Sequence, residues 1–274
     1  MDLRIRKCSE AQNVRDALRR GFCQVYGKNR KKAILMNNTQ KSARILVFVC
    51  AVPDYARALQ THNRKKLVRA LSEMGGEASF GDLKSAVGFG GNTLVHNLEV
   101  LKRLGVIENP VKGVYRLRFK TPLLFLFCTK RVKTFYLGLL GKKDSRKEAE
   151  PQVALSLLEN EGFSFDDAYV VTSLDALNDW NSLSFHWIVL GKIGEIEEIS
   201  DIESVKRKVE KELVKLLESG VVVMDCTSAT KPATIAFYEL AQKYLVPLIY
   251  VYEPQKRLTW LLSKESISSR LFKA

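Results

Sequence analysis

The residues best suited to binding chemistry lie in the octapeptide from Asp225 to Pro232, which reads D-C-T-S-A-T-K-P. It supplies three hydroxyl groups and one ammonium group, and it stands between an apolar run that indicates a buried strand and an amphipathic helix. Hydroxyls, a lysine and the free N–H groups of a helix N-terminus together favour a phosphate or another anion. A simple polar turn between a strand and a helix explains the same residues equally well.

A second segment lies at the end of the apolar run F-Y-L-G-L-L. Gly138 is within that run, and Gly141, Lys142 and Lys143 follow it. The sequence G-L-L-G-K-K has neither the G-x-x-x-x-G-K-[ST] spacing of a P-loop nor the G-x-G-x-x-G spacing of a dinucleotide site. ATP hydrolysis and NAD chemistry are therefore disfavoured, and we expect no cofactor.

Patterns for metal or nucleophilic chemistry are weak in this sequence. The histidines His62, His96 and His186 are far apart and form no H-x-x-x-H motif, so we expect no metal site. The segment from Arg57 to His62 matches the R-x4-H pattern of HEPN ribonucleases, but the sequence lacks the sizeable helical domain that those enzymes need. We therefore assign no catalytic residue from the sequence.

The positive charge is concentrated at the N-terminal end of the chain. The net charge is +14, and residues 1–66 contain 16 Lys/Arg against 4 Asp/Glu, or +12. A polyanion partner for this segment, most simply nucleic acid, would explain such a density electrostatically. A basic surface that only keeps the protein in solution is the alternative.

The cysteine pattern and hydropathy indicate a cellular compartment. The five cysteines are scattered and form no C-x-x-C pair, which favours reduced thiols over a disulfide framework. The sequence has no uncharged apolar run of about 18 residues and starts without a secretory signal. We therefore expect a cytoplasmic protein with no membrane partner.

Residues 64–119 show the periodicity of three helices followed by a hairpin. We expect the first helix to end at Gly75 and Gly76, the second to begin at Ser79 as its N-cap, and the hairpin to turn near Lys112. The third helix carries a stripe of leucines, Leu94, Leu98, Leu101 and Leu104. This order of elements resembles the winged helix-turn-helix family.

The resemblance implies that the third helix presents its polar face to nucleic acid, DNA rather than RNA. Short polar side chains near the start of the helix would reach base edges, and the basic side chains would meet phosphates. The candidate residues are Asn92, Thr93, His96, Asn97, Lys102, Arg103 and Lys112. A solvated helix face, in a domain that only connects other parts, is the alternative.

Strands and helices alternate from residue 130 to residue 254, which is typical of a parallel sheet. Pro151 suits the first turn of one helix, and Ser200 with Glu203 has the spacing of a capping box at the start of another. The expected strands are 132–140, 167–173, 184–190, 220–225 and 246–252. Ligands of such sheets bind where the carboxyl ends of the strands meet helix N-termini.

The strand, loop and helix over 221–251 resemble the D-x-T-[GS]-G-T-K-x-x-[ST] signature of CARF domains, the CRISPR-associated Rossmann folds. The resemblance covers about 130–254, and Ala229 stands where that family often has glycine. It implies a pocket across the axis of a homodimer that binds cyclic oligoadenylate. By this resemblance the ligand-binding residues are Gly138, Lys142, Thr172, Ser173, Thr227, Ser228, Thr230 and Lys231.

The domain organisation follows from these segments. We expect a mixed α/β chain with three parts: a short basic α/β segment (1–62), a winged helix-turn-helix domain (63–119) and a CARF-like Rossmann domain with a parallel sheet (120–274). Within the first part, a helix is expected at about 10–20 and a strand at 44–52.

The combination predicts a nucleotide-binding and DNA-binding protein of CRISPR antiviral defence that acts as a ligand-responsive transcriptional regulator. Ligand in the C-terminal dimer pocket would shift the spacing of two winged helices, provided that it binds one arrangement better than the other. The alternative is a nuclease of the CARF family. Such an enzyme would either cleave the cyclic ligand itself, as a ring nuclease, or act as an RNase or DNase that the ligand activates.

Overall fold

The computed structural model describes residues 52–144, 146–191 and 197–272. These residues belong to one compact unit that spans 52–274. The helix expected at 10–20 and nearly all of the strand expected at 44–52 lie outside the described residues.

The N-terminal third of this unit is a small helical module with a three-stranded antiparallel sheet, in which β3 lies between β1 and β2. Its elements are α1 (Tyr55–Ala58), α2 (His62–Glu73), β1 (Glu77–Ser79), α3 (Phe80–Val87), α4 (Gly91–Arg103), β2 (Ile107–Glu108) and β3 (Val114–Leu117).

Local capping determines where these helices begin and end. Ser79 and Asp82 form a capping box at the start of α3, and Gly88 ends that helix in the left-handed conformation, with φ 65°. Leucines of α2 and α4 fill the core, and Leu94, Leu98 and Leu101 are completely buried. Leu104, the fourth leucine of the expected stripe, is only half-buried because it is the residue that caps the end of α4.

The remainder of the unit contains a mostly parallel six-stranded sheet of order β6-β5-β4-β7-β8-β9, in which only β9 runs antiparallel to its neighbour. Its strands are β4 (Thr134–Leu140), β5 (Asp167–Ser173), β6 (His186–Leu190), β7 (Val221–Asp225), β8 (Leu248–Tyr252) and β9 (Arg257–Leu262). Its helices are α5 (Leu123–Phe127), α6 (Glu150–Asn160), α7 (Leu174–Asp179), α8 (Glu197–Ser200), α9 (Ile202–Ser219), α10 (Lys231–Tyr244) and α11 (Lys264–Phe272).

Helices cover both faces of this sheet, the arrangement of a Rossmann-like fold. Successive residues of β4 belong to two different hydrophobic clusters because side chains alternate between the faces of a strand. Leu137 packs in the cluster that contains α9 and α10, whereas Tyr136 packs in the cluster that contains α6. The five strands expected from the sequence are present, four of them starting one or two residues later than expected.

Several features of the sheet region differ from the sequence-based expectation. Strand β9 and helix α11 were not predicted, since β9 forms an edge hairpin with β8 whose exposed positions weaken the apolar signal. The capping box expected at Ser200 is wrong. Helix α8 extends to Ser200, so Asp201 becomes the N-cap of α9 and its Oδ2 accepts a 2.8 Å hydrogen bond from Ser204 N.

Hydrogen bonds join the segment after β3 to the end of α9 and the start of β7. Thr121 is completely buried, and its Oγ1 accepts a 2.9 Å hydrogen bond from Val222 N. Lys120 N donates to Leu217 O at 2.6 Å. The segment after β3 is therefore attached to the strand whose other end reaches Asp225. Within the described residues, no helix is long and apolar enough to cross a membrane.

Candidate functional site

A cavity of about 430 Å³ opens at the carboxyl edge of the parallel sheet. Its wall is formed by residues that follow β4, β5 and β7, together with residues near the start of α6 and the end of α8. Of the ligand-binding residues expected from the sequence, five line it: Lys142, Ser173, Thr227, Ser228 and Thr230. The topology therefore brings both loops of interest to one place.

The two loops are in direct contact with each other. Ser228 Oγ accepts a 2.9 Å hydrogen bond from Gly141 N, and a Cβ on Gly141 would lie 3.4 Å from Ala229 N and Cα. Glycine at position 141 thus permits close packing of the loops. The backbone of Ala229 is left-handed, with φ 74°, a conformation in which glycine is favoured over other residues.

A buried carboxylate holds the second loop against the end of β7. Asp225 is completely buried, and its Oδ1 accepts hydrogen bonds from the backbone N–H and the hydroxyl of Thr227. Its Oδ2 accepts a 2.5 Å hydrogen bond from Tyr136 Oη. The Thr227 hydroxyl in turn accepts a 2.8 Å hydrogen bond from Val251 N. Thr227 therefore serves the structure of the loop.

Burial governs the titration of this pair. Desolvation raises the pKa of Asp225 to about 6, and the hydrogen bonds from Thr227 and Tyr136 oppose that shift. The pKa of Tyr136 lies well above its ordinary value because its phenol is buried and faces the Asp225 carboxylate. Sequence reasoning did not predict these hydrogen bonds, although Asp225 was visible as the first residue of the motif.

Gly138, expected to bind ligand, has a structural role instead. It lies inside β4, where it pairs with Asp225 of β7, and a Cβ at this position would be 2.5 Å from Tyr136 Oη. Only glycine leaves room for the phenol that donates to Asp225. The position was expected to face a ligand because the sequence alone does not distinguish the last residues of a strand from the loop that follows.

Two other expected ligand-binding residues lie outside the cavity wall. Thr172 is completely buried, and its Oγ1 donates a 2.9 Å hydrogen bond to Leu140 O of the neighbouring strand. Lys231 is the first residue of α10 and is exposed to solvent. Thr230, which does line the cavity, caps α10: its Oγ1 accepts from Ala233 N at 3.3 Å and donates to Ile199 O at 2.7 Å.

The cavity also contains charged residues that carry no motif. Lys142 Nζ lies 3.2 Å from Asp175 Oδ2. Arg146 forms an ion pair with Glu150, and its guanidinium also donates to Lys142 O. Arg146 lies in the segment before α6 and Glu150 is the first residue of that helix, and no motif in the sequence marked either of them as a site residue.

Comparisons with known proteins find only distant similarity. No protein-family model matches this chain, and no curated protein matches it either. Protein VC1899 from Vibrio cholerae is similar with a TM-score of 0.35 at 15% identity, over 48% of this chain and 34% of that chain.

Two further solved structures match at the same level. Can2 from Sulfobacillus thermosulfidooxidans, in complex with cyclic tetra-adenylate, gives a TM-score of 0.33 at 12% identity, over 48% of this chain and 35% of that chain. Enterococcus italicus Csm6, bound to cyclic hexa-2′-fluoro-hexa-dAMP, gives 0.36 at 12% identity, over 52% and 38%. This chain therefore spans little more than a third of the length of the structures it matches.

The helix α4 presents most of the expected nucleic-acid residues to solvent. Asn92, Thr93 and His96 are exposed in its first turns. The exposed basic residues are Lys102 and Arg103 in the last turn and Lys112 in the turn before β3.

Asn97 is an exception to this pattern and must be removed from the set. It is only 6% exposed, and its Nδ2 donates a 2.7 Å hydrogen bond to Thr93 O one turn earlier. Asn97 lies beside Leu98 on the buried face of α4, where it cannot reach a base.

The described residues hold no group of three or more His, Cys, Asp or Glu side chains that could bind a metal ion. Cys128 and Cys226, the two cysteines among the described residues, are free thiols.

Proposed function

We propose that this chain senses a cyclic oligoadenylate in the cavity at the carboxyl edge of the sheet. The observation that carries the proposal is the junction of the two loops, in which Ser228 Oγ accepts from Gly141 N beside the N-terminus of α10. Hydroxyls, Lys142 and a helix N-terminus then surround one cavity, a combination that suits a phosphate. The D-C-T-S-A-T-K-P motif, with its resemblance to CARF domains, suggests the class of nucleotide.

The size of the cavity supports a dimeric site. The cavity volume of about 430 Å³ lies within the range of small-molecule sites, roughly 300–1,000 Å³. A ring of four or six nucleotides is larger than this cavity. A second copy of the chain would supply the other half. Ile235 and Tyr238 support such an arrangement because they are 44% and 45% exposed on α10, the helix that begins beside the cavity.

The N-terminal module would then act as a winged helix-turn-helix domain that binds DNA. Its three helices and hairpin occur in the order typical of that family, and Asn92 and His96 are exposed on the third helix of that set, α4. The Thr121–Val222 hydrogen bond connects the segment that follows this module to β7, which ends at the cavity. Ligand binding would bias the module only if the ligand prefers one arrangement of the dimer.

Calorimetric titration tests the proposal. The full chain is titrated with cyclic tetra-adenylate and cyclic hexa-adenylate, and linear tetra-adenylate is the control. We expect tight binding of one ring, with one ring per two chains, and a dimer by light scattering. If neither ring binds, the proposal is contradicted.

The same samples separate a regulator from a nuclease. Chromatography of the ligand after incubation shows whether the ring is intact, and binding to labelled DNA and RNA is measured with and without ligand. A stable ring together with ligand-dependent DNA binding supports the regulator. Linear adenylate products support cleavage of the ligand, and degradation of the DNA or RNA probe supports a ligand-activated nuclease.

A further inference from the structure

Glu150 is a buried carboxylate in the wall of the cavity. It is the first residue of α6, is only 3% exposed and belongs to the cavity lining. Its Oε1 forms an ion pair with Arg146. Its Oε2 is buried as well, and this atom has no hydrogen-bond partner among the described residues.

An unmatched carboxylate oxygen is unfavourable inside a protein. Nearly all buried polar atoms have a hydrogen-bond partner, because an unpaired one loses its hydration without compensation. Arg146 offsets the charge of Glu150, but its ion pair is with the other oxygen. Glu150 lies in the cavity wall, and a turn of its side chain toward the cavity would let a donor on a bound ligand complete the hydrogen bonding of this buried atom.

Charge decides which part of a nucleotide ligand this oxygen can accept. A carboxylate repels a phosphate, whereas it attracts N–H and O–H groups. The ammonium group of Lys142 and the hydroxyl of Ser228, which line the same cavity, suit the phosphates. The nucleoside part of the ligand is therefore the part that matches Glu150.

We propose that Glu150 accepts a hydrogen bond from the nucleoside part of the ligand and thereby selects the nucleotide that the cavity binds. The donor is either the exocyclic amine of adenine or a ribose 2′-hydroxyl group. Hypoxanthine presents a carbonyl oxygen in place of that amine, and two acceptors would then face each other. This inference rests on the proposed function, because it takes the ligand to be a cyclic oligoadenylate.

The first test compares two matched variants of the full chain. Glu150→Gln removes the carboxylate from the cavity, and Glu148→Gln removes the same charge from an exposed position outside the cavity wall. We expect Glu150→Gln to weaken calorimetric binding of cyclic tetra-adenylate or cyclic hexa-adenylate about tenfold or more, and Glu148→Gln to leave it unchanged. Wild-type affinity in a Glu150→Gln protein with a normal unfolding transition overturns the inference.

The second test varies the ligand and does not depend on the folding of any variant. Wild-type protein is titrated with the preferred ring, with its inosine analogue and with its 2′-deoxy analogue. Weaker binding of the inosine analogue assigns the adenine amine as the donor, and weaker binding of the 2′-deoxy analogue assigns the ribose hydroxyl. Equal affinity for all three ligands overturns this inference and leaves the proposed function standing. If wild-type protein binds neither the tetra- nor the hexa-adenylate ring, the proposed function fails, and this inference fails with it.

Discussion

The hydroxyl of Tyr136 donates a 2.5 Å hydrogen bond to Oδ2 of Asp225, and both side chains are completely buried. The pair joins the neighbouring strands β4 and β7 just before the loops that form the cavity. Asp225 also accepts two hydrogen bonds from Thr227, which turns the loop away from the end of the strand. The shape of the cavity wall therefore depends on a pair of residues that lies behind it.

Tyr136→Phe removes one donor from this network and keeps the ring. We expect a loss of about 1–3 kcal/mol in the free energy of unfolding, because a buried carboxylate oxygen loses its partner. We also expect the pKa of Asp225 to rise above about 6, since the bond from Tyr136 holds it down. Urea denaturation at several pH values measures both effects. The control is Tyr252→Phe, at an exposed tyrosine; an identical loss in both variants would contradict the assigned role.

Asp225 should make the stability of the protein depend on pH in a defined window. Its pKa is about 6 in the folded protein and ordinarily 3.8, so the folded state favours the protonated carboxyl. The stabilisation from protonation is complete below about pH 4 and is lost as the pH rises through 6, with a total of about 3 kcal/mol. Asp225→Asn should remove this slope. If the free energies of unfolding of wild type and variant change in parallel between pH 4 and 7, Asp225 does not titrate in that range.

Gly138→Ala should destabilise the fold without a change of charge. The new methyl group would lie 2.5 Å from Tyr136 Oη, so the ring or the strand must move, at a cost of about 1–3 kcal/mol. Gly91→Ala is the matched control, since a Cβ there meets nothing within 4 Å and alanine suits the first residue of a helix. Thermal unfolding of both variants measures the difference. If the two unfold alike, the fit between Gly138 and Tyr136 is looser than the contact indicates.

The two lysines expected to bind ligand should differ in importance. Lys142 lines the cavity, whereas Lys231 is exposed at the start of α10 outside the wall. We expect Lys142→Ala to weaken binding of the cyclic oligoadenylate about tenfold and Lys231→Ala to have a much smaller effect, because a charge-assisted contact contributes roughly 1.5–3 kcal/mol. Calorimetry measures both. A larger effect at Lys231 than at Lys142 would contradict the assignment of Lys142 to the phosphates.

The exposed face of α4 should determine DNA sequence preference. Alanine at Asn92 and His96 should reduce discrimination between specific and non-specific DNA by about 1–3 kcal/mol for each lost base contact, with no change in stability. Asn97→Ala should lower the stability of the protein and leave the DNA discrimination unchanged, because the buried amide of Asn97 donates a hydrogen bond to Thr93 O within the helix. Competition binding and thermal unfolding separate the two results. Unchanged discrimination in the double variant would make this module a connector.

Local patterns in the sequence were sufficient to predict most helices and strands. Ser79 as the N-cap of α3 and Pro151 in the first turn of α6 are both as expected. Each depends on contacts within about four residues, so the sequence around it contains the whole interaction. The failure at Ser200 has the same origin, since Asp201 is an equally good cap and the end of α8 decided between them.

Only the tertiary structure decided which residues line the cavity. The motif loops did meet at one edge of the sheet, because parallel strands place their carboxyl ends together. Gly138 and Thr172 nevertheless lie within strands, and Arg146 and Glu150 enter the wall from a segment with no recognisable pattern. A side chain's access to a cavity depends on backbones that are distant in the chain, and a periodicity or a motif contains no information about those distances.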